Sequence, residues 1–224
     1  MEDAVYALPA ERNRHPIMEK PTETFQEDLW RGSFGDEYAQ RNRGAALQAG
    51  KTALFARILA RAERVRSAIE FGANIGLNLR IIRDLLPQVA LSAVEINASA
   101  VGELQKIAGV RIYHQSVLDF KPDHPCDLVL CMGVLIHLPT EHLGTVYDLL
   151  YATSSRYVCL VEYYNPVPTE VAYRGLKNAL FKRDFAGELM DRHKDLSLVD
   201  YGFVYHRDPI FPLDDVTWFL LEKS

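Results

Sequence analysis

The chain has little of what staples, anchors or strongly charges a protein. Only three cysteines occur in 224 residues, Cys126, Cys131 and Cys159; they have no C-x-x-C spacing and sit in or beside apolar runs. That excludes a disulfide framework and the usual zinc spacings, and the thiols read as buried and reduced; no metal is expected. A basic excess is also missing, with 25 Lys+Arg against 30 Asp+Glu, a net charge of -5 and a pI near 5.8. Without a global cationic footprint for phosphates, no nucleic-acid partner is expected. Long apolar runs are absent. The most apolar stretch, residues 128–138, contains His137 and is too short to span a bilayer. The first sixteen residues begin with acids and hold no apolar core of signal-peptide length. A cytoplasmic protein without a membrane partner is the expectation.

What is present is a hydrophobic fraction of 48%, enough for one substantial core. Residues 1–22 are polar and proline-punctuated and read as a flexible arm. Residues 23–224 read as a single domain, opening with a helical cap to about residue 66. A first helical pattern carries Phe25, Leu29 and Trp30 and is interrupted by the turn-prone Arg31-Gly32-Ser33-Phe34-Gly35. A second, over 51–64, places Leu54, Phe55, Ile58 and Leu59 in one stripe. From Ser67 the pattern becomes strand and helix in alternation. Strands are predicted at 68–71, 91–95, 110–113, 127–131 and 157–162, and helices at 77–86, 98–107 and 141–152. This rhythm predicts a mostly parallel α/β sheet with helices on both faces. Two last strands, 196–204 and 216–221, are joined by a proline-containing segment without a helical pattern, which suits an antiparallel pair. The final one is apolar on both alternating faces, so it belongs inside the sheet, reversed among seven strands.

The run EFGANIG puts Gly72 and Gly76 in the turn between the first strand and its helix. Glycine there allows a sharp turn and close approach of a ligand to the backbone, and the helix start can hold an anionic group. Glu95 ends the second strand 19 positions after Gly76, where an acid hydrogen-bonds ribose hydroxyls. The spacing chooses between cofactors. A dinucleotide fingerprint needs G-x-G-x-x-G, but Asn74 and Leu77 stand at the second and third places, and no G-K-[ST] follows for a P-loop.

These features, with Glu70 two residues before Gly72, resemble the class I methyltransferases. More narrowly, the chain resembles the pseudaminic acid biosynthesis-associated methylases over about residues 25–223. The segments are FGDEYAQRN from Phe34, EFGANIGLNLR from Glu70, AVEIN from Ala93 and DLVLCMGVLIHLP from Asp127. They continue with VEYYNPVPTEVAYRG from Val161, LFKRDFAGEL from Leu180 and VDYGFVYHRDPIFPLDDVTWFLLEK from Val199. The resemblance implies a Rossmann-like fold and S-adenosyl-L-methionine as cofactor. Gly72, Ala73 and Gly76 would line the methionine side above Glu70, Glu95 would take the ribose, and Ile96 would pack on the adenine. Ser116 and Val117 would border the adenine edge, and Met132 and Gly133 would lead toward the sulfonium. Asn74 departs from the common glycine, and its amide is a further candidate contact. Phe34, Tyr38 and Asn42 would form a lid, with Tyr38 on the cofactor.

Acceptor candidates lie after the fourth and fifth strands, because open α/β sheets bind ligands outside the carboxyl ends of their strands. They are Gly133, Leu135, His137, Glu162, Tyr163, Tyr164 and Asn165. His137 and Glu162 are candidate bases for an O or N nucleophile, with Tyr163 as a hydrogen-bonding partner. Asn165-Pro166-Val167-Pro168 follows the wrong strand and lacks the final aromatic of an N-P-P-Y motif. The long connection after the fifth strand carries Tyr173, Arg174, Lys177, Lys182, Arg183 and Asp184, and its cations suit an anionic, sugar-like acceptor. His206, Arg207 and Asp208 are candidates for the same rim. A protein or RNA acceptor, or a scaffold that binds the cofactor without catalysis, stays open at this point.

Overall fold

A computed structural model describes residues 24–41, 44–175 and 179–224. The expected arm, Asn42 and Lys177 lie outside the described residues. Five strands run parallel: β1 (Ser67–Phe71), β2 (Ala90–Glu95), β3 (Val110–His114), β4 (Cys126–Met132) and β5 (Ser154–Glu162). A short ribbon, β6 (Thr169–Glu170) with β7 (Phe181–Lys182), stands apart. The last two strands are β8 (Leu196–Val204) and β9 (Val216–Lys223). Sheet order is β3-β2-β1-β4-β5-β9-β8, with β9 antiparallel to both neighbours. The doubly apolar final strand therefore lies inside the sheet, as its two faces require.

Alternation along each strand divides the core in two. Leu128 and Leu130 of β4 join Trp218 and Leu220 of β9 on one face. That face is covered by α3 (Ala45–Leu59), through Leu54, Phe55 and Ile58, and by α4 (Leu77–Leu85), through Leu79 and Ile82. Val129, Cys131 and Leu160 point the other way, toward α6 (Thr140–Thr153) and α7 (Phe185–Arg192). All three cysteines are buried thiols. Helix α5 (Ala98–Leu104) starts at Asn97, whose side chain accepts from Ala100 N–H, a standard N-cap.

Ahead of the sheet lie α1 (Phe25–Arg31), closed by a Thr24/Glu27 capping box, and α2 (Ser33–Arg41), separated at Gly32. The helix expected over 51–64 instead occupies 45–59. The chain then turns through Arg64 (φ 58°) to enter β1. Helix α7 gives little sequence signal because its buried stripe is only Phe185, Ala186 and Leu189.

Candidate active site

At the carboxyl ends of β1, β2 and β4, beneath α1 and α2, lies a cavity of about 1060 Å³ with its open mouth included. Its floor begins with the turn after β1. Gly72 has φ 70°, and a Cβ there would come within 2.4 Å of Val134 Cγ2, so both conformation and space demand glycine. The amides of Gly72 and Ala73 donate to Val94 O at 2.8 and 3.2 Å. Asn74 takes a left-handed φ of 48°, which asparagine tolerates better than most residues. Its amide donates to Glu95 Oε2 at 2.7 Å, while Asn97 N–H donates to Oε1 at 2.8 Å. Both carboxylate oxygens are thus oriented by backbone and keep further accepting capacity. Burial raises the Glu95 pKa, partly offset by these amides.

Deeper in, Asn78 Nδ2 donates to Glu70 Oε1 at 2.5 Å, and Lys51 Nζ of α3 donates to Asn78 Oδ1 at 2.8 Å. Burial pushes the Glu70 carboxyl up and the Lys51 amine down, toward each other. Glu70 Oε2 is buried without a partner among the described residues. A buried acceptor in that state is costly unless a donor arrives, and the atom belongs to a residue lining the cavity. Met132 lies beside this pair, its Sδ 3.5 Å from Asn78 Nδ2.

Tyr38, Ile96, Ser116, Val117 and Gly133 also line the cavity. Ser116 additionally bonds Glu27 of α1, which together with Thr24 outweighs burial and lowers that carboxyl's pKa. Gly76 does not line it. A Cβ on Gly76 would meet Ile107 Cδ1 at 2.4 Å and Leu104 Cδ2 at 2.7 Å, so its place is against α5.

The acceptor candidates separate. His137 lines the cavity between Trp30 (ring centroids 4.8 Å) and Tyr173 (5.2 Å). Its Nδ1 lies 2.6 Å from Ala179 O. A carbonyl only accepts, so Nδ1 carries the hydrogen and Nε2 keeps its lone pair. Burial pushes the imidazole pKa down to about 4, leaving it neutral near pH 7.

Glu162 is not at the cavity surface. Its Oε1 accepts from the amides of Val134 and Leu135, each at 3.0 Å, so it shapes the exit from β4. Burial pushes its pKa up to about 8. Leu135 is buried in the core beside it.

The remaining candidates lie outside the cavity lining. Tyr163 sits under Lys182, whose Nζ is 5.2 Å from the ring. Tyr164 is exposed. Asn165 holds a local turn through Val167 O and Thr169 Oγ1. Arg183 is engaged by Glu188 and Thr140, and His206 by Asp215. Arg174 stacks over Tyr173.

No protein-family model matches the sequence, and no curated protein does, so the narrower family resemblance rests on its motifs alone. Solved structures match over nearly the whole chain. Magnesium protoporphyrin IX methyltransferase (ChlM) from Synechocystis PCC 6803, with bound SAM, aligns at TM-score 0.67 and 15% identity, covering 92% of this chain and 100% of that one. The 1,6-didemethyltoxoflavin-N1-methyltransferase of Burkholderia thailandensis, with its namesake ligand and S-adenosylhomocysteine, gives 0.65 and 17%, covering 92% and 93%. The plantazolicin methyltransferase BpumL, with a pentazolic desmethylPZN analog and SAH, gives 0.62 and 12%, covering 88% and 94%. The fold is that of the class I methyltransferases.

Sequence reasoning missed Lys51, Asn78, Trp30 and Asn97 as parts of the site. Asn78 does carry a signal, since it is polar on the buried face of α4 beside Leu79, Ile81 and Ile82. Lys51 carries none, because its partner Asn78 is 27 residues away. Together the residues offer a diol acceptor in Glu95, an acid and an amine bridged by Asn78 in Glu70 and Lys51, and a neutral imidazole under aromatic cover.

Proposed function

We propose that the protein is an S-adenosyl-L-methionine-dependent methyltransferase acting on O or N of a small polar molecule. The observation that carries this reading is the convergence of Glu95, Glu70 and Lys51 on one cavity at the carboxyl ends of β1, β2 and β4. Glu95 would accept from the ribose hydroxyls. The unpartnered Glu70 Oε2 and Lys51 would meet the ammonium and carboxylate of the amino-acid end. Ile96, Ser116 and Val117 would flank the adenine, with Ala73, Asn74, Met132 and Gly133 along the length between. When bound, the cofactor supplies an electrophilic methyl group on a sulfonium.

The chain's own part is alignment and proton removal. In this reading His137 Nε2 would take the proton of the acceptor's hydroxyl or amine, and Trp30 and Tyr38, which line the cavity, would help to exclude water. Lys182 and Arg174, each over a tyrosine ring outside the cavity lining, would in this reading serve an anionic or heavily hydroxylated, sugar-like acceptor. That is the class the resemblance to the pseudaminic acid-associated methylases supports.

Calorimetry with S-adenosylmethionine and S-adenosylhomocysteine tests the cofactor. Binding is expected to both, and Glu95→Ala is expected to weaken it roughly 10- to 100-fold, the equivalent of about 1.5–3 kcal/mol for hydrogen bonds to a charged group. No binding at millimolar cofactor would sink the proposal. Transfer of labelled methyl into the small-molecule fraction of a cell extract, and not into macromolecules, is the expected result for the acceptor.

A further inference from the structure

The uncovered face at the β8 end of the sheet is aromatic where a solvated edge is ordinarily polar. Helix α7 is only eight residues long and leaves most of β8 bare. Leu198, Tyr201 and Phe203 are 44, 60 and 54% exposed, and Tyr205, just beyond the strand, is 46% exposed. Tyr164, at the exit of β5, is 42% exposed and joins them across Phe219. The Tyr164–Phe219 and Tyr201–Phe219 ring centroids are 6.0 and 6.1 Å apart, and Phe203–Tyr205 are 6.2 Å apart. Three distant segments therefore build one continuous apolar surface. Apolar surface patches of a few hundred Å² are often functional.

We propose that this face docks a second copy of the chain. A twofold interface must be complementary to itself, so a patch carrying net charge of one sign would repel its own copy. The groove at its centre is lined by uncharged residues apart from Asp184, which caps α7 through Gly187 N–H. The same scarcity of charge disfavours a strongly acidic or basic partner. At about 150–250 Å² per aromatic side chain, half-exposed rings of this number, with Leu198, present on the order of 500 Å² per copy. A pair would bury about 1,000 Å², which meets the lower bound for a specific interface and belongs with weak, micromolar association.

The docking mode follows from the strand. Its pairing with β9 shifts register between Leu198 and Asp200, and such a bulge spoils the regular edge needed to extend the sheet. The copies therefore pack side chain against side chain, not strand against strand.

Sedimentation of the full chain from about 1 to about 100 μM brackets a Kd on the order of 10 μM. The expected result is a rise in mass from 25.4 kDa to twice that value. Phe203→Arg and Tyr201→Arg, each made alone, should stay monomeric across the range while keeping the parent's melting temperature, since both side chains are exposed. A parent that is monomeric at the highest concentration overturns the proposal. So does a dimer that persists in both variants.

Discussion

Lys51, Asn78 and Glu70 form a chain of hydrogen bonds in which the amine donates to the amide and the amide to the carboxylate. Because the charges sit in a partly desolvated floor, their effect on a ligand's own charges is larger than in water. Lys51→Met removes the amine but keeps much of the length and the apolar stem. Its expected effect is a loss of about 10- to 100-fold in S-adenosylhomocysteine affinity, with 5′-methylthioadenosine, which lacks the amino-acid end, bound as before. Equal losses for both ligands would place Lys51 elsewhere in the binding.

Glu162 has a different consequence. Its pKa lies at about 8 in the fold against 4.5 for an ordinary glutamate, so the native state holds this proton more tightly than the unfolded chain. Its contribution is complete below about pH 4.5 and is lost as pH rises through about 8. Glu162→Gln keeps an acceptor for the amides of Val134 and Leu135 but cannot ionise. Thermal melts between pH 5 and 9 should fall less steeply for the variant than for the parent. Parallel curves would mean that Glu162 does not ionise differently in the fold.

At the scale of elements, one of the side chains that tie the cap to the sheet has two duties. Asn97 Oδ1 caps α5 by accepting from Ala100 N–H, and its Nδ2 reaches Trp30 O at 3.2 Å and Asp36 Oδ1 at 3.0 Å. Asn97→Ala should cost about 1–2 kcal/mol through the lost cap. It should also speed proteolytic cleavage within residues 24–41, and S-adenosylhomocysteine should slow that cleavage, since Trp30 and Tyr38 line the cavity. Cleavage of the variant at the parent's rate would mean that the Ser116–Glu27 bond and the Trp30–His137 ring contact hold the cap without Asn97.

At the scale of the whole molecule, a ligand that binds only the native state stabilises all of it. At 100 times its Kd, S-adenosylhomocysteine should add about 2.7 kcal/mol, or about 5–10 °C in melting temperature for a chain of this size. The same measurement on Glu95→Ala at equal ligand should show a clearly smaller shift.

The strand and helix succession from Ser67 onward, the reversed inner strand and the nearness of the glycine turn to Glu95 were legible in the sequence. Each is written in local periodicity or in a fixed spacing along the chain, as with the alternation of Leu128, Val129, Leu130 and Cys131. Short elements such as α7 and the β6–β7 ribbon were not, because three buried residues in α7 and strands of two residues make no detectable period. What only the tertiary structure decided was the company each polar side chain keeps. It set Gly76 against α5, turned Glu162 to the backbone amides of the β4 exit, paired Arg183 and His206 with acids, and brought Lys51 to Glu70. Periodicity reports which face of an element is buried, whereas a hydrogen bond between residues far apart in the chain depends on how whole elements pack, and no local pattern encodes that.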